Sequence, residues 1–231
     1  MSDARDWITF WDNPHSIYVN ARHFDVHYRD VADGISRLLP RDGLRVLDYG
    51  CGEALHAGRV AAKARKLYLC ESAPRVREHL AQRFAGNATI AVVAPEDVAR
   101  MADGSLDVVV ANSVVQYLSS SELDRLLVMM RRLIAPGGSL IVADVIPPNA
   151  SPVRDALTLL RYAATHGFLL YALAGLIRTV FSDYRVVRSR LGLACYSEVE
   201  FMARLSAAGF TPQRLAHNLE HNPTRMSFRG Q

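Results

Sequence analysis

Cysteine is scarce: the 231 residues carry three, Cys51, Cys70 and Cys195. An odd, scattered set without Cys-x-x-Cys spacing excludes a disulfide framework and argues against a structural zinc cluster. Lysine is scarcer still, since Lys63 and Lys66 are the two lysines among 27 basic residues. The cationic chemistry of the chain is therefore that of the arginine guanidinium, with its planar fork for anions. Long apolar runs are also missing. The stretch from Ala163 to Ile177 holds fifteen uncharged residues, His166 among them, short of the ~20 apolar residues that a membrane-crossing helix needs. Residues Met1 to Trp7 lack the apolar centre of a signal peptide. These absences lead to the expectation of a reduced, soluble, cytoplasmic chain.

Half of the residues are apolar, 22% are charged, and mean hydropathy is +0.04. That composition fills a real core and excludes disorder as the main state. The net charge is +4 and the isoelectric point about 9.1, but the excess is local. Residues 151–197 hold Arg154, Arg161, Arg178, Arg185, Arg188 and Arg190 against Asp155 and Asp183, a surplus equal to that of the whole chain. The basicity therefore marks one segment and makes nucleic acid an unlikely partner for the chain.

From Leu44 onward, short apolar runs alternate with helix-length segments. The runs are Arg45 to Asp48, Lys66 to Glu71, Ala88 to Val93, Leu106 to Ala111 and Ser139 to Asp144. Their continuity, without polar alternation, suits strands buried on both faces of a parallel sheet. Helices are expected at 54–64, 74–84 and 121–134. Pro74 lies in a first turn, Ser120 or Ser121 caps the third helix with Asp124 reaching back, and Pro136 to Gly138 stop it. This order predicts an α/β fold, doubly wound on a mostly parallel sheet. We read one domain. An N-terminal helical cap spans 1–40, with Trp7, Phe10 and Trp11 on one face, and a core spans 41–150. A helical insertion follows over 151–197, then a last helix and terminal strands over 198–231, where Gly209 ends the helix.

The segment Val46 to Ala54 runs Val-Leu-Asp-Tyr-Gly-Cys-Gly-Glu-Ala. A strand entering Gly-x-Gly and then a helix lets backbone approach a ligand closely. The dinucleotide fingerprint fails, because Leu55 stands where its third small residue belongs, and no Gly-Lys-Ser/Thr follows for a P-loop. What remains is Asp48 at a strand end, Gly50 and Gly52, and Glu71 ending the next strand, where a carboxylate can chelate two ribose hydroxyls.

On these residues the sequence resembles the class I S-adenosylmethionine-dependent methyltransferases, over roughly residues 41–145. The run Leu106 to Ser113 is similar to that family's fourth-strand motif, and Leu133 to Leu140 to its turn into the fifth strand. The resemblance implies S-adenosylmethionine as cofactor and S-adenosylhomocysteine as product. Asp48, Gly50, Cys51 and Gly52 would then lie against the methionyl part, Glu71 and Ser72 at the ribose, and the backbone around Asn112 on the other side. Ala94 stands where the family pattern has an adenine-binding Asp, so Glu96 or Asp97 is the substitute.

Methyl transfer from a sulfonium is an in-line displacement and needs a base only when the nucleophile arrives protonated. Ligands of open α/β sheets sit beyond the carboxyl ends of the strands, which places Asn112, Ser113, Gln116 and Tyr117 beside the reactive methyl. His23 and His27 share a helix face. With Tyr117 they are the catalytic candidates, and no third ligand completes a metal site, so no metal is expected. Tyr18, Tyr28, Gln116, Phe168, Tyr171, Asn222 and Arg225 are the substrate candidates, with His56 and His221 in ambiguous positions. Residues 151–197 read as a lid selecting a small apolar or amphipathic acceptor for O- or N-methylation. A homodimer interface and a peripheral membrane contact are the competing readings of the same segment. A methyltransferase-fold module that binds cofactor without turnover is the alternative function. A nucleic-acid methyltransferase is disfavoured, because Asn112 to Val115 lacks the Asn/Asp-Pro-Pro-aromatic motif.

Overall fold

The five apolar runs become five parallel strands: β1 (Leu44–Tyr49), β2 (Ala64–Cys70), β3 (Ile90–Val93), β4 (Leu106–Asn112) and β5 (Ile134–Val145). The structure, a computed structural model, describes residues 3–13, 17–179 and 192–231. Two further strands, β6 (Pro212–Arg214) and β7 (Met226–Gly230), pair antiparallel and close one edge, giving the order β3-β2-β1-β4-β5-β7-β6. The central stretches of β1, β4 and β5 are apolar at consecutive positions because both faces are covered. Val46, Val108, Val110 and Ile141 face Ile35, Val60 and Leu80 on one side. Leu47, Val109, Leu140 and Val142 face Leu123, Leu127, Met130 and Phe201 on the other.

Helices fill the connections: α3 (Ala57–Ala61), α4 (Pro74–Arg83), α5 (Pro95–Ala99), α6 (Ser120–Leu133) and α9 (Glu198–Ala207). Three expectations need correction. The helix expected at 54–64 shrinks to α3, because Ala54 takes a positive φ of 40°, which cannot start a right-handed helix, and β2 already begins at Ala64. Ser119, not Ser120 or Ser121, caps α6, and Glu122, not Asp124, reaches back to it. Asp124 lies too far along the helix and pairs with Arg204 at 2.8 Å instead. Pro136 to Gly138 do not stop α6, which ends at Leu133; they lie inside β5, where its register against β4 shifts.

The N-terminal cap is two helices, α1 (Asp3–Trp11) and α2 (Ala21–Leu38), the second capped by Asn20, whose Oδ1 accepts the His23 N–H at 2.8 Å. Trp7 of α1 is buried against Tyr117, with ring centroids 4.6 Å apart. The insertion forms α7 (Pro152–His166) and α8 (Leu169–Thr179), separated by Gly167 in the left-handed conformation. Its apolar side packs on α2 through Val26, Tyr162, Ala163, Phe168 and Ala172. Val153, Leu157, Leu170, Tyr171 and Ile177 are exposed on its outer side. Arg185, Arg188 and Arg190 lie outside the described residues, as does part of the expected lid. Among the described residues no helix is long and apolar enough to cross a membrane.

Candidate active site

Strand order reverses between β1 and β4, so the loops leaving these two strands part and open a crevice. The loop after β1 is built for close approach. A Cβ on Gly50 would collide with Val114, and one on Gly52 would sit 2.5 Å from the Tyr28 hydroxyl. The Gly50 and Cys51 N–H groups donate to the Cys70 carbonyl at 2.8 and 3.1 Å, tying the loop to the end of β2.

Glu71 is buried at that strand end. Its Oε2 accepts the Gly52 N–H at 2.9 Å and its Oε1 the Ala73 N–H at 2.8 Å. A carboxylate offers about four lone-pair directions, and the Ser72 N–H also acts on this one, so a direction remains for a ribose hydroxyl. Ser72 presents its carbonyl to Arg77 at 3.1 Å. Asp48 stands beside Glu71, and burial, with the Glu71 charge second, pushes its carboxyl up to about 7. A site that holds a carboxyl so reluctant to ionise is short of positive charge, which the sulfonium and ammonium of S-adenosylmethionine would supply. Cys51 fills space, since burial holds its thiol neutral. These residues fit the cofactor. On the adenine side, Asp97 already caps α5 by accepting the Ala94 N–H at 3.0 Å and pairs with Arg100 at 3.1 Å, while Glu96 is exposed.

A second polar cluster is assembled at the ends of β4 and β5. Ser113 and Asp144, one at each end, both take left-handed φ, 55° and 61°. Strained backbone of this kind persists only where its surroundings enforce it and clusters at functional sites. The Ser113 hydroxyl lies 2.9 Å from Asp144 Oδ2 and 2.8 Å from Glu220 Oε1, and Asn112 Nδ2 donates to the same Glu220 oxygen at 2.7 Å. Burial and the nearby Glu220 push Asp144 up to about 8. Burial also works to raise Glu220, but His27, His221 and these hydrogen bonds hold it below its ordinary value. The two carboxyls are thus pushed apart, Asp144 toward its protonated form and Glu220 toward its anion. Asn112 Oδ1 is buried with no hydrogen-bond partner among the described residues.

The histidines divide. His23 stacks on Phe168 with centroids 4.9 Å apart, and burial lowers its pKa to about 4. It is a neutral core histidine between α2 and α8, so the structure does not bring it to the reacting side. His27, one turn on, has Nδ1 at 4.0 Å from Glu220 Oε2. Tyr18 and Tyr28 are joined by a hydrogen bond, and Tyr28 Oη accepts the Glu53 N–H at 3.0 Å, so these aromatics adjoin the glycine loop. Tyr117 packs against Trp7 and Trp11 of α1. Gln116 is buried nearby, its Oε1 without a partner among the described residues.

Two substrate candidates fall elsewhere: Phe168 is buried in the α2–α7–α8 core, and Tyr171, on the far side of α8, is 58% exposed. Asn222 and Arg225 both bond Asp155, at 2.9 and 2.7 Å, fastening the β6–β7 connection to α7, while the Arg225 charge also acts on Asp144 and its Nη1 is buried without a partner among the described residues. His56 pairs with Asp25 at 2.9 Å. Sequence reasoning drew Asn222 and Arg225 from the polar run 217–225 and passed over Asp144 and over Glu220 in that same run, because nothing local shows which of its side chains turns inward.

Residues 47–142 match the family model described as a methyltransferase domain. Over 154 residues the chain is 24% identical to an uncharacterised methyltransferase of Geobacillus kaustophilus, covering 62% of this chain and 68% of that one. Among solved structures, phosphoethanolamine N-methyltransferase 1 of Haemonchus contortus, bound to phosphoethanolamine and S-adenosylhomocysteine, superposes with a TM-score of 0.52 at 21% identity. That match covers 63% of this chain, which spans about a third (32%) of the length of the nematode enzyme. A methyltransferase of Thermotoga maritima, described as a possible histamine N-methyltransferase, matches 91% of this chain and 92% of its own at 18% identity and a TM-score of 0.54. Loop, ribose-side acid, sheet order and these likenesses agree: residues 47–142 carry a methyltransferase domain, and the chain has the fold of the class I S-adenosylmethionine-dependent methyltransferases.

Proposed function

We propose that the protein methylates an oxygen or nitrogen atom of a small amphipathic acceptor seated between α2, the Tyr117 turn and the β6–β7 connection. Glu220 carries this reading: a buried anion held by Asn112 and Ser113 at the end of β4, where the methyl is presented. When bound, S-adenosylmethionine supplies a sulfonium methyl that moves in line to the acceptor, leaving the thioether S-adenosylhomocysteine. Glu220 accepts a hydrogen bond from the acceptor O–H or N–H and aligns its lone pair on the methyl carbon. The proton released as the new bond forms passes to His27 beside Glu220. Tyr18, Tyr28 and Tyr117 wall the apolar body of the acceptor. The small ligand of the Haemonchus enzyme supports an acceptor of this size.

The test is a methylation screen over small alcohols, phenols and amines with the wild type and Glu220→Gln. The variant should lose at least about 100-fold in turnover while its cofactor affinity, measured calorimetrically, stays within a few-fold. Unchanged turnover of an identified acceptor refutes the role of Glu220.

A further inference from the structure

Glu220 has two neighbours whose chemistry the methyl transfer does not require together. His27 comes from α2, and His221 follows Glu220 in the β6–β7 connection. One ligand atom from each of the three side chains lies within 4.8 Å of the others. We propose that His27, Glu220 and His221 form a binding site for one divalent transition-metal ion.

Three observations support a built site. Glu220 is pre-oriented: both side-chain donors, Asn112 and Ser113, occupy Oε1, so Oε2 is left facing His27 Nδ1 at 4.0 Å. Hydrogen bonds that fix a ligating carboxylate in this way are the usual outer support of metal ligands. The His221 ring is also fixed, stacked on Tyr162 with centroids 4.3 Å apart and planes 19° from parallel. Finally, there is a way in. A cleft of about 410 Å³, with Asp30, Asp33 and Arg37 on its wall, reaches Glu220 and His221 from the surface.

Two imidazoles and one carboxylate suit zinc, cobalt, nickel or ferrous iron better than magnesium or calcium, which prefer all-oxygen shells. Ligands on bonds of about 2.1 Å stand roughly 3.4 Å apart around a tetrahedral ion. Binding therefore draws the three side chains inward by about 1 Å and fastens the β6–β7 connection to α2. Three protein ligands leave at least one position for water or for an oxygen or nitrogen of a bound molecule. The binding itself does not rest on the proposed methyl transfer, which needs the His27 lone pair free: an ion held here takes that lone pair and stops His27 from receiving the acceptor's proton.

The experiment uses the full chain stripped of metal, titrated with Zn²⁺ by calorimetry and with Co²⁺ by its visible d–d absorption. The wild type should take up one ion per chain, with Co²⁺ giving the intense bands of a low-symmetry nitrogen–oxygen site. His27→Gln and His221→Gln should each weaken binding at least about 10-fold, and the double variant should abolish it. His217→Gln, in the same connection but outside the cluster, should bind as the wild type does. Circular dichroism and S-adenosylmethionine affinity show that the variants fold. No uptake by the wild type, or uptake that survives in the folded double variant, overturns the site. Chelator-resistant turnover with the binding pattern intact confirms the site and removes it from the reaction, whereas failure of Glu220→Gln to affect turnover bears on the methyl-transfer reading alone.

Discussion

Asp48→Asn separates what the fold tolerates from what the cofactor needs. In register, Asp48 stands between Leu69 of β2 and Val110 of β4, with Glu71 as its nearest like charge. Its carboxyl titrates near 7 in the folded chain, against about 3.9 in an unfolded one. A folded-state pKa raised above the unfolded value means that the protonated side chain stabilises the fold. That contribution is complete below about pH 4 and is lost as the pH rises through 7. The gap of about three units corresponds to at most ~4 kcal/mol, and the partial exposure of the side chain reduces this to about 1–3 kcal/mol at pH 8. Asparagine has the shape of the neutral acid and cannot ionise. The cofactor-free variant should therefore melt about 2–10 °C above the wild type at pH 8, with the gap falling to about a third of that at pH 5. Calorimetry should show the opposite for binding: a charge partner of the cationic cofactor is gone, and affinity at pH 8 should fall about 10-fold or more. Thermal melts from pH 5 to 8.5, with and without S-adenosylmethionine, test both arms. A variant that melts below the wild type at pH 8 without cofactor, or that binds it equally well, refutes the reasoning.

Glu71→Ala should weaken S-adenosylmethionine binding by roughly 1–3 kcal/mol, and calorimetry showing unchanged affinity would remove Glu71 from the ribose. Phe168→Ala empties a buried position against His23 and should cost about 3–5 kcal/mol in denaturant unfolding, while Tyr171→Ala, at an exposed one, should stay within about 0.5 kcal/mol. Equal effects would mean that α8 packs the other way round. Asp155→Ala strands the Arg225 guanidinium, whose side chain is 10% exposed, and should cost about 3–5 kcal/mol; a stability within 1 kcal/mol of the wild type would show that Arg225 has another partner.

The sheet and its cofactor loop were legible in the sequence because their causes are local. Doubly covered strands must be apolar at consecutive positions, so Val46, Leu47, Val108, Val109 and Val110 announce a parallel sheet without reference to their neighbours in space. Gly50 and Gly52 are required by backbone that turns within a few residues, and Glu71 follows from the length of one strand, helix and strand. Helix ends were less legible, since Ser119, Ser120 and Ser121 offer the same hydroxyl and the choice rests on where Glu122 falls. The acceptor side was decided by tertiary structure alone. Glu220 acquires its partners from Asn112 and Ser113, more than a hundred positions earlier, and Asp144 is pushed toward its protonated form by burial and by the Glu220 that a distant loop sets near it. His23 and His27 are equivalent by helical spacing, yet α8 covers the first with Phe168 and the β6–β7 connection offers the second a carboxylate. Chemical character at that edge depends on which long-range neighbours remove water and which supply charge, and neither is encoded in the residues next to it.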